Sequence, residues 1–263
     1  RSTIENSRDY QYKTTHPQTI DRYSWIQNSY KKYPNCKYKL NPNIQKRFEL
    51  IKAKLFAYTH SQAEVLAVYQ NQTNTPSRYA SAAANFFNGD KNKSVDMIKL
   101  LIQEDPFNPY YHEILGEIYY ALSNFKLAIL EQKKTMELLS SDNDLHLMML
   151  GSYLIAESSD ESIIKSIKAL NKSLFLNRTN SYAWYLLAKA HALNDNLALA
   201  QYASAERYYL RRDKALALSF AKKAIKNIDK DTVEWYRTND LIQLIVGIEE
   251  KDNKNRTKDI KND

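Results

Sequence analysis

The residues with the clearest potential for chemistry form the pentapeptide His112–Gly116, HEILG. A histidine in place of Gly116 would complete H-E-x-x-H, in which two histidines one helical turn apart bind zinc and the glutamate acts as general base. Glycine offers no side-chain ligand, so this motif is incomplete. The chain has a single cysteine, Cys36, and three further histidines show no metal-ligand spacing: His60, His146 and His191. These residues predict no metal site within the chain.

The composition predicts helices throughout. The chain has 263 residues, of which 43% are hydrophobic, with only four glycines and six prolines. No proline follows Pro109, and the long remainder is rich in Ala, Leu, Lys and Glu. The net charge of +8 would suit nucleic acid, but the lysines are spread along the chain, so no nucleic-acid partner is predicted. The longest apolar run, 145–156, is too short to span a bilayer, so no transmembrane segment is predicted.

Several helix starts are visible before residue 75. Pro17 is suited to the first turn of a helix. Asn41 has the residue type of an N-cap for a helix that begins at Pro42. Ser61 and Glu64 have the spacing of a capping box, which predicts a short helix after them. In the helix from Pro42, apolar residues at spacings of four, three and four predict a one-sided apolar stripe: Ile44, Phe48, Ile51 and Leu55.

The rest of the chain repeats itself. Four segments align: YASAAANFFNGD, HEILGEIYYALSN, LMMLGSYLIAESS and WYLLAKAHALNDN. One small position, at spacings of 34, 35 and 37 residues, is held by Ala82, Gly116, Gly151 and Ala188. A second small position further along is held by Ser94, Ala128, Ser166 and Ala200. This pattern resembles tetratricopeptide (TPR) repeats, in which pairs of helices meet at small residues. Ser140 and Arg178 depart from it, since they stand where proline is usual.

The repeat resemblance predicts an all-α fold: a TPR-like solenoid of helical hairpins with a small N-terminal helical or irregular extension. After Ala200 the pattern slips, and a helix near 197–210 is expected to serve two successive hairpins. A helix over 235–248 is expected to cap the array. The predicted organisation is an N-terminal segment, connecting helices, the solenoid with its cap, and a disordered tail, at 1–40, 41–74, 75–250 and 251–263.

The repeat alignment also assigns HEILG. His112 aligns with Leu147 of the third repeat and Trp184 of the fourth, which predicts a packing position between helices. Gly116 falls where the two helices of a hairpin meet. We therefore interpret HEILG as a TPR helix and not as the remnant of a zinc-protease site.

The N-terminal segment carries a second resemblance. The order of Thr15–Arg22 (THPQTIDR), Arg47–Leu55 (RFELIKAKL) and the repeats resembles the C-terminal half of BepA-type periplasmic zinc metallopeptidases, which are related to HtpX and the CaaX prenyl proteases. The resemblance implies a periplasmic location and a zinc-containing catalytic core in a full-length parent, with His16 and Arg22 beside the catalytic cleft. The alternative for His16 is a helix-cap residue next to Pro17. The zinc-binding motif itself is not in this sequence.

The leading functional prediction is a TPR module that binds a protein or peptide, or its own metallopeptidase domain, within an enzyme of envelope protein quality control. By itself this chain is expected to be inactive and to hold no cofactor; zinc belongs to the presumed parent. The alternative is a stand-alone TPR adaptor or assembly chaperone, and an upstream H-E-x-x-H would distinguish the two. The residues predicted to line the binding groove, here called the groove face, are Tyr79, Phe86, Tyr110, Glu113, Glu117, Tyr120, Met148, Tyr185 and Lys189.

Overall fold

The computed structural model describes residues 19–32, 41–69, 73–140 and 143–259. These residues form α-helices joined by short turns and contain no strand, which confirms the predicted all-α class. The chain divides into two compact units, Arg1–Glu49 and Leu50–Asp263. Among the described helices, none combines the length and the apolar character that crossing a membrane would need.

Thirteen helices lie in the described ranges. In chain order they are α1 Thr19–Lys32, α2 Pro42–Thr59, α3 Gln62–Tyr69, α4 Thr75–Asn88, α5 Lys91–Glu104, α6 Pro109–Ala121, α7 Phe125–Leu139, α8 Asp144–Glu157, α9 Asp160–Leu176, α10 Ser181–Leu193, α11 Leu197–Leu210, α12 Lys214–Ala224 and α13 Val233–Asp259.

The helix starts predicted before residue 75 are present where the structure describes them. At the start of α2, the backbone N–H of Asn43 donates to Asn41 Oδ1 at 2.9 Å. Before α3, the backbone N–H of Ser61 donates to Glu64 Oε2 at 2.8 Å and the N–H of Glu64 donates to Ser61 Oγ at 3.4 Å. This reciprocal pair is the predicted capping box. Pro17 lies outside the described residues.

The apolar stripe of α2 is one-sided, but it is not the buried face of the helix. Its four residues are exposed: Ile44 58%, Phe48 57%, Ile51 53% and Leu55 60%. The buried positions are Ala53 and Ala57, which join the core together with Tyr79. Leu50 and Phe56 are partly buried and pack against the same core, so the inward face of α2 combines two small and two large residues.

The repeat frame is confirmed by burial in four hairpins, α4–α5, α6–α7, α8–α9 and α10–α11. In the first hairpin, the Ser94 hydroxyl donates to the Ala82 carbonyl at 2.7 Å, so the two small positions touch each other. Of the eight small residues, seven are buried and Ala188 is partly buried: Ala82, Ser94, Gly116, Ala128, Gly151, Ser166, Ala188 and Ala200. The packing interpretation of His112, Leu147 and Trp184 is confirmed as well, since all are at least 92% buried.

Helix α11 belongs to two hairpins, as the slip after Ala200 predicted. It packs against α10 on one side and α12 on the other, and also contacts α13. Ala205 on α11 shares a small core with residues of α12 and α13: Ala217, Ala221, Leu241 and Ile245. The predicted capping helix, 235–248, lies within α13, which runs from Val233 to Asp259. The disordered tail expected at 251–263 stays a prediction.

The two departures from the repeat pattern are accommodated locally. Ser140 ends α7 with a left-handed backbone, φ 51°. Arg178 precedes α10 and forms an ion pair with the buried Glu206 of α11, and its guanidinium lies 5.9 Å from the centre of the Trp184 ring. Arg178, at the position where proline is usual, therefore contacts both α10 and α11.

We expect Gly116→Leu to destabilise the chain by about 1–3 kcal/mol because it overpacks a close helix contact. A Cβ atom at Gly116 would already lie 3.4 Å from the Ala128 carbonyl oxygen, so a longer side chain must push α7 away. Urea unfolding monitored by circular dichroism measures the change. Gly247→Leu is the matched control, since a Cβ there meets nothing within 4 Å. If both variants unfold at the same urea concentration, the repeat alignment that places Gly116 at a close helix contact is contradicted.

Candidate ligand-binding groove

The groove face lies on the first helix of each hairpin, namely α4, α6, α8 and α10. The structure leaves three of its residues exposed, Tyr120, Tyr185 and Lys189. One, Tyr79, is fully buried. The others are partly buried: Phe86, Tyr110, Glu113, Glu117 and Met148. The groove face is therefore open towards α10 and covered towards α4.

Helix α2 covers this part of the groove face. Lys54 and Tyr58 lie one helical turn apart on α2, and Glu113 and Glu117 lie one turn apart on α6. Lys54 Nζ is 2.5 Å from Glu113 Oε2, and the Tyr58 hydroxyl donates to Glu117 Oε2 at 3.1 Å. Two equally spaced pairs thus join the helices side by side. Sequence analysis missed both α2 residues, because they lie before the repeats and no repeat signal marks them.

The Lys54 ammonium sits in a cage of one carboxylate and two aromatic rings. Besides Glu113, its neighbours are the rings of Tyr58 and Tyr110, whose centres lie 5.6 and 5.7 Å from Nζ. These distances are within the range of cation–π attraction. The Lys54 side chain is 28% exposed and that of Glu113 is 22% exposed, so the pair is partly shielded from water. We call Tyr110, Glu113 and Glu117 the acidic anchor.

Two buried hydroxyl groups lie near the acidic anchor. The side-chain oxygens of Tyr79 and Tyr153 have no hydrogen-bond partner among the described residues. Burial raises the pKa of both hydroxyls, and the carboxylates of Glu113 and Glu117 raise it further. A buried hydroxyl without a partner costs free energy. These two buried hydroxyls are therefore a destabilising feature of the core.

Burial raises the pKa of Glu117, and the nearby carboxylate of Glu113 adds to the effect. The Tyr58 hydroxyl and the Lys54 ammonium act in the opposite direction without cancelling it. The negative charge on Glu117 therefore costs folding free energy at neutral pH.

We expect Glu117→Gln to raise the melting temperature at about pH 7 and to leave it unchanged at about pH 4, where the unfolded glutamate also begins to bind its proton. The sign follows because a raised folded-state pKa favours folding at low pH, and that advantage is lost as the pH rises. Glutamine keeps an oxygen that can accept from Tyr58. Glu161→Gln is the control, since a hydrogen bond from Lys165 lowers the pKa of Glu161; it should not stabilise at neutral pH. If the melting temperature of Glu117→Gln rises equally at both pH values, the raised pKa of Glu117 does not explain the stabilisation.

The open half of the groove face is aromatic. Tyr120 stacks on Tyr153 with ring centres 4.8 Å apart. Tyr182 and Tyr185 lie 5.8 Å apart, and the Arg207 guanidinium is 4.6 Å from the centre of the Tyr185 ring. Tyr182 was missed by sequence analysis, although it aligns with Tyr110 two repeats earlier. Rings of this kind offer a wide contact area and few rotatable bonds to a bound chain.

Both ring nitrogens of His112, the histidine of HEILG, lie within hydrogen-bonding distance of other protein atoms. Its Nε2 lies 3.2 Å from the Pro106 carbonyl and its Nδ1 lies 2.6 Å from Glu131 Oε2. Over the described ranges, no group of three His, Cys, Asp or Glu side chains could hold a metal ion.

Arg22 is exposed on α1, and His16 lies outside the described residues. The roles given to these two residues by resemblance stay predictions.

No family model and no curated protein matches the chain. Among solved structures, MamA MSR-1 is 14% identical with a TM-score of 0.53, over 64% of this chain and 98% of that one. The MamA RS-1 ArsTM double mutant is 17% identical with a TM-score of 0.52, over 64% and 96%. The C-terminal part of a TPR repeat-containing protein from Cytophaga hutchinsonii is 15% identical with a TM-score of 0.50, over 86% and 91%. At these identities the likeness establishes the fold alone, and that fold is a TPR-like helical solenoid.

Proposed function

We propose that this chain is a protein-binding module that holds a segment of a partner protein along its groove face. The observation that carries the proposal is the open aromatic half formed by Tyr120, Tyr182 and Tyr185, which are 38%, 51% and 37% exposed. Helical solenoids use the surface formed by their successive first helices for binding. Exposed aromatic residues on such a surface are typical of recognition sites for polypeptide.

Photo-crosslinking tests the binding surface. A photoreactive phenylalanine analogue at Tyr185 should crosslink a partner in the native host, and mass spectrometry then identifies it. The matched control is the same analogue at Phe175, which is 87% exposed on α9, a second helix of its hairpin. Crosslinking of the same partners with equal yield from both positions would refute the proposal.

The finer proposal rests on the sequence resemblance: the module serves a zinc metalloendopeptidase of BepA type, acts in envelope protein quality control, and is periplasmic. The THPQTIDR and RFELIKAKL segments support it. The described residues offer no donor set that fits zinc, so we derive no catalytic step through the metal. A stand-alone adaptor or assembly chaperone would use the same groove face, and the sequence encoded upstream of Arg1 separates the two.

If the peptidase proposal is right, His16→Ala in a parent protein that carries an upstream H-E-x-x-H should lower proteolysis and leave the TPR fold intact. The loss of folding free energy should not exceed that of a lost helix cap, about 0.5–2 kcal/mol. Arg22→Ala should act in the same direction. A peptidase assay with a melting curve for each variant makes the measurement. Full activity in the His16 variant would leave it as a cap residue.

A further inference from the structure

We propose that Arg207, beside the open half of the groove face, binds the carboxylate of a glutamate or aspartate side chain in the partner segment. This inference rests on the proposed binding function and specifies the chemistry of the partner: a polypeptide segment with an internal acidic residue. Lys189 supplies a second positive charge close to the same aromatic ring, that of Tyr185.

Aromatic rings hold the Arg207 side chain in place. Its guanidinium lies 4.6 Å from the centre of the Tyr185 ring on α10 and 5.4 Å from that of the Tyr208 ring on α11. Tyr208 in turn stacks on Phe220 of α12, with ring centres 5.4 Å apart. A guanidinium that stacks on an aromatic face keeps the N–H donors along its edge for a carboxylate, which it can bind through two of them. The position of Arg207 therefore suits an anionic group.

The charge of Arg207 has no partner in the part of the chain that the structure describes. Its side chain is partly buried, yet none of the described residues forms an ion pair or a hydrogen bond with it. By contrast, Arg78 pairs with Glu104 and Arg178 pairs with Glu206. Burial removes water from a cation, so the lack of an acceptor costs free energy. This contrast points to a carboxylate that comes from outside the chain.

The helices around Arg207 offer no spare negative charge. Across α10 and α11, which are both fully described, the one carboxylate is that of Glu206, and it is taken by Arg178. Lys189 lies one helical turn from Tyr185, is exposed, and has no ion pair with any described residue. An acidic segment is therefore attracted to this surface, and a basic segment is repelled.

An internal acidic side chain fits this surface better than a phosphate or a chain terminus. Nucleic acid is bound by several cations that follow its phosphates, whereas the Lys and Arg residues of α10 and α11 are two, Lys189 and Arg207. Rings flank Arg207 on both neighbouring helices, Tyr185 on α10 and, through Tyr208, Phe220 on α12. A bound segment can therefore continue past the cation in both directions.

The probe is a fluorescein-labelled peptide of five Glu-Tyr repeats with an amidated C-terminus, so that all its carboxylates are internal. Fluorescence anisotropy measures its binding to the full chain, and we expect it to bind at least about tenfold more tightly than the matched Gln-Tyr peptide. Arg207→Gln should abolish this preference. Arg212→Gln is the matched control, because it removes an equal charge from an exposed position just after α11, and it should weaken binding by less than about threefold. In Arg207→Glu the preference should reverse towards a Lys-Tyr peptide, and melting curves check that each variant is folded.

Equal affinity for the Glu-Tyr and Gln-Tyr peptides would overturn the proposal, and so would the absence of binding to both. Equal losses in the Arg207 and Arg212 variants would overturn it as well, because attraction would then depend on net charge alone. Tighter binding of a labelled single-stranded oligothymidine, lost in Arg207→Gln, would assign the site to nucleic acid instead. Crosslinking from Tyr185 that keeps its full yield in an Arg207→Gln chain would exclude the acidic partner and leave the protein-binding function in place.

Discussion

Trp184→Ala should cost about 3–5 kcal/mol of folding free energy, because it empties a large site at the centre of the fourth hairpin. Trp184 is 3% exposed and lies edge-on to Tyr202, with ring centres 5.5 Å apart. Its indole N–H donates to the Arg178 carbonyl at 2.8 Å. The truncation removes this hydrogen bond and the surface on which the Arg178 guanidinium rests. The ion pair between Arg178 and Glu206 loses a support as well.

Urea unfolding monitored by circular dichroism measures this loss. Trp25→Ala is the matched control, because it removes the same side chain from a site that is 71% exposed. We expect the control to stay within about 0.5 kcal/mol of the parent chain. If the two variants lose a similar amount of folding free energy, the repeat alignment is wrong to assign Trp184 a packing position between helices.

Tyr79→Ala should cost a comparable amount, about 3–5 kcal/mol, by leaving a cavity between α2, α4 and α6. Tyr79 is completely buried, and its ring centre lies 5.9 Å from that of Tyr111. It belongs to the same core as Ala53 and Ala57 of α2. The loss should therefore loosen α2 and expose Glu113, which limited proteolysis between α2 and α4 would detect.

Tyr79→Phe separates the ring from its hydroxyl. Because that hydroxyl has no hydrogen-bond partner among the described residues, its removal should leave stability within about 1 kcal/mol of the parent, with a gain as the expected direction. Urea unfolding curves of the phenylalanine and alanine variants measure the two changes in stability. A phenylalanine variant as unstable as the alanine variant would show that the hydroxyl makes a necessary contact.

The repeat frame was predictable because it depends on spacing that the sequence displays directly. Small residues at Ala82, Gly116 and Gly151 are required wherever paired helices approach closely, and their spacing locates each hairpin. The packing position of His112 followed from its alignment with Leu147 and Trp184. The same alignment pairs Tyr182 with Tyr110, so the repeat spacing also contains the signal for this exposed ring.

The occupation of the groove by α2 could not be predicted in the same way. Periodicity identifies residues that share a helix face, and in α2 it marked the stripe from Ile44 to Leu55. It does not say which face meets the core, and that face carries Ala53 and Ala57, with Leu50 and Phe56 packed beside them. The pairing of Lys54 with Glu113 joins residues 59 positions apart, and no local pattern encodes such a contact.

The double use of α11 has a consequence for how the solenoid opens. When α11 melts, α10 and α12 both lose their main packing partner, so we expect the three helices to open together. Hydrogen exchange should accordingly reveal one cooperative unit there, with amides of all three helices exchanging at a common opening free energy. The first three hairpins each have their own pair of helices and can fray stepwise, as the nearest-neighbour behaviour of repeat arrays allows.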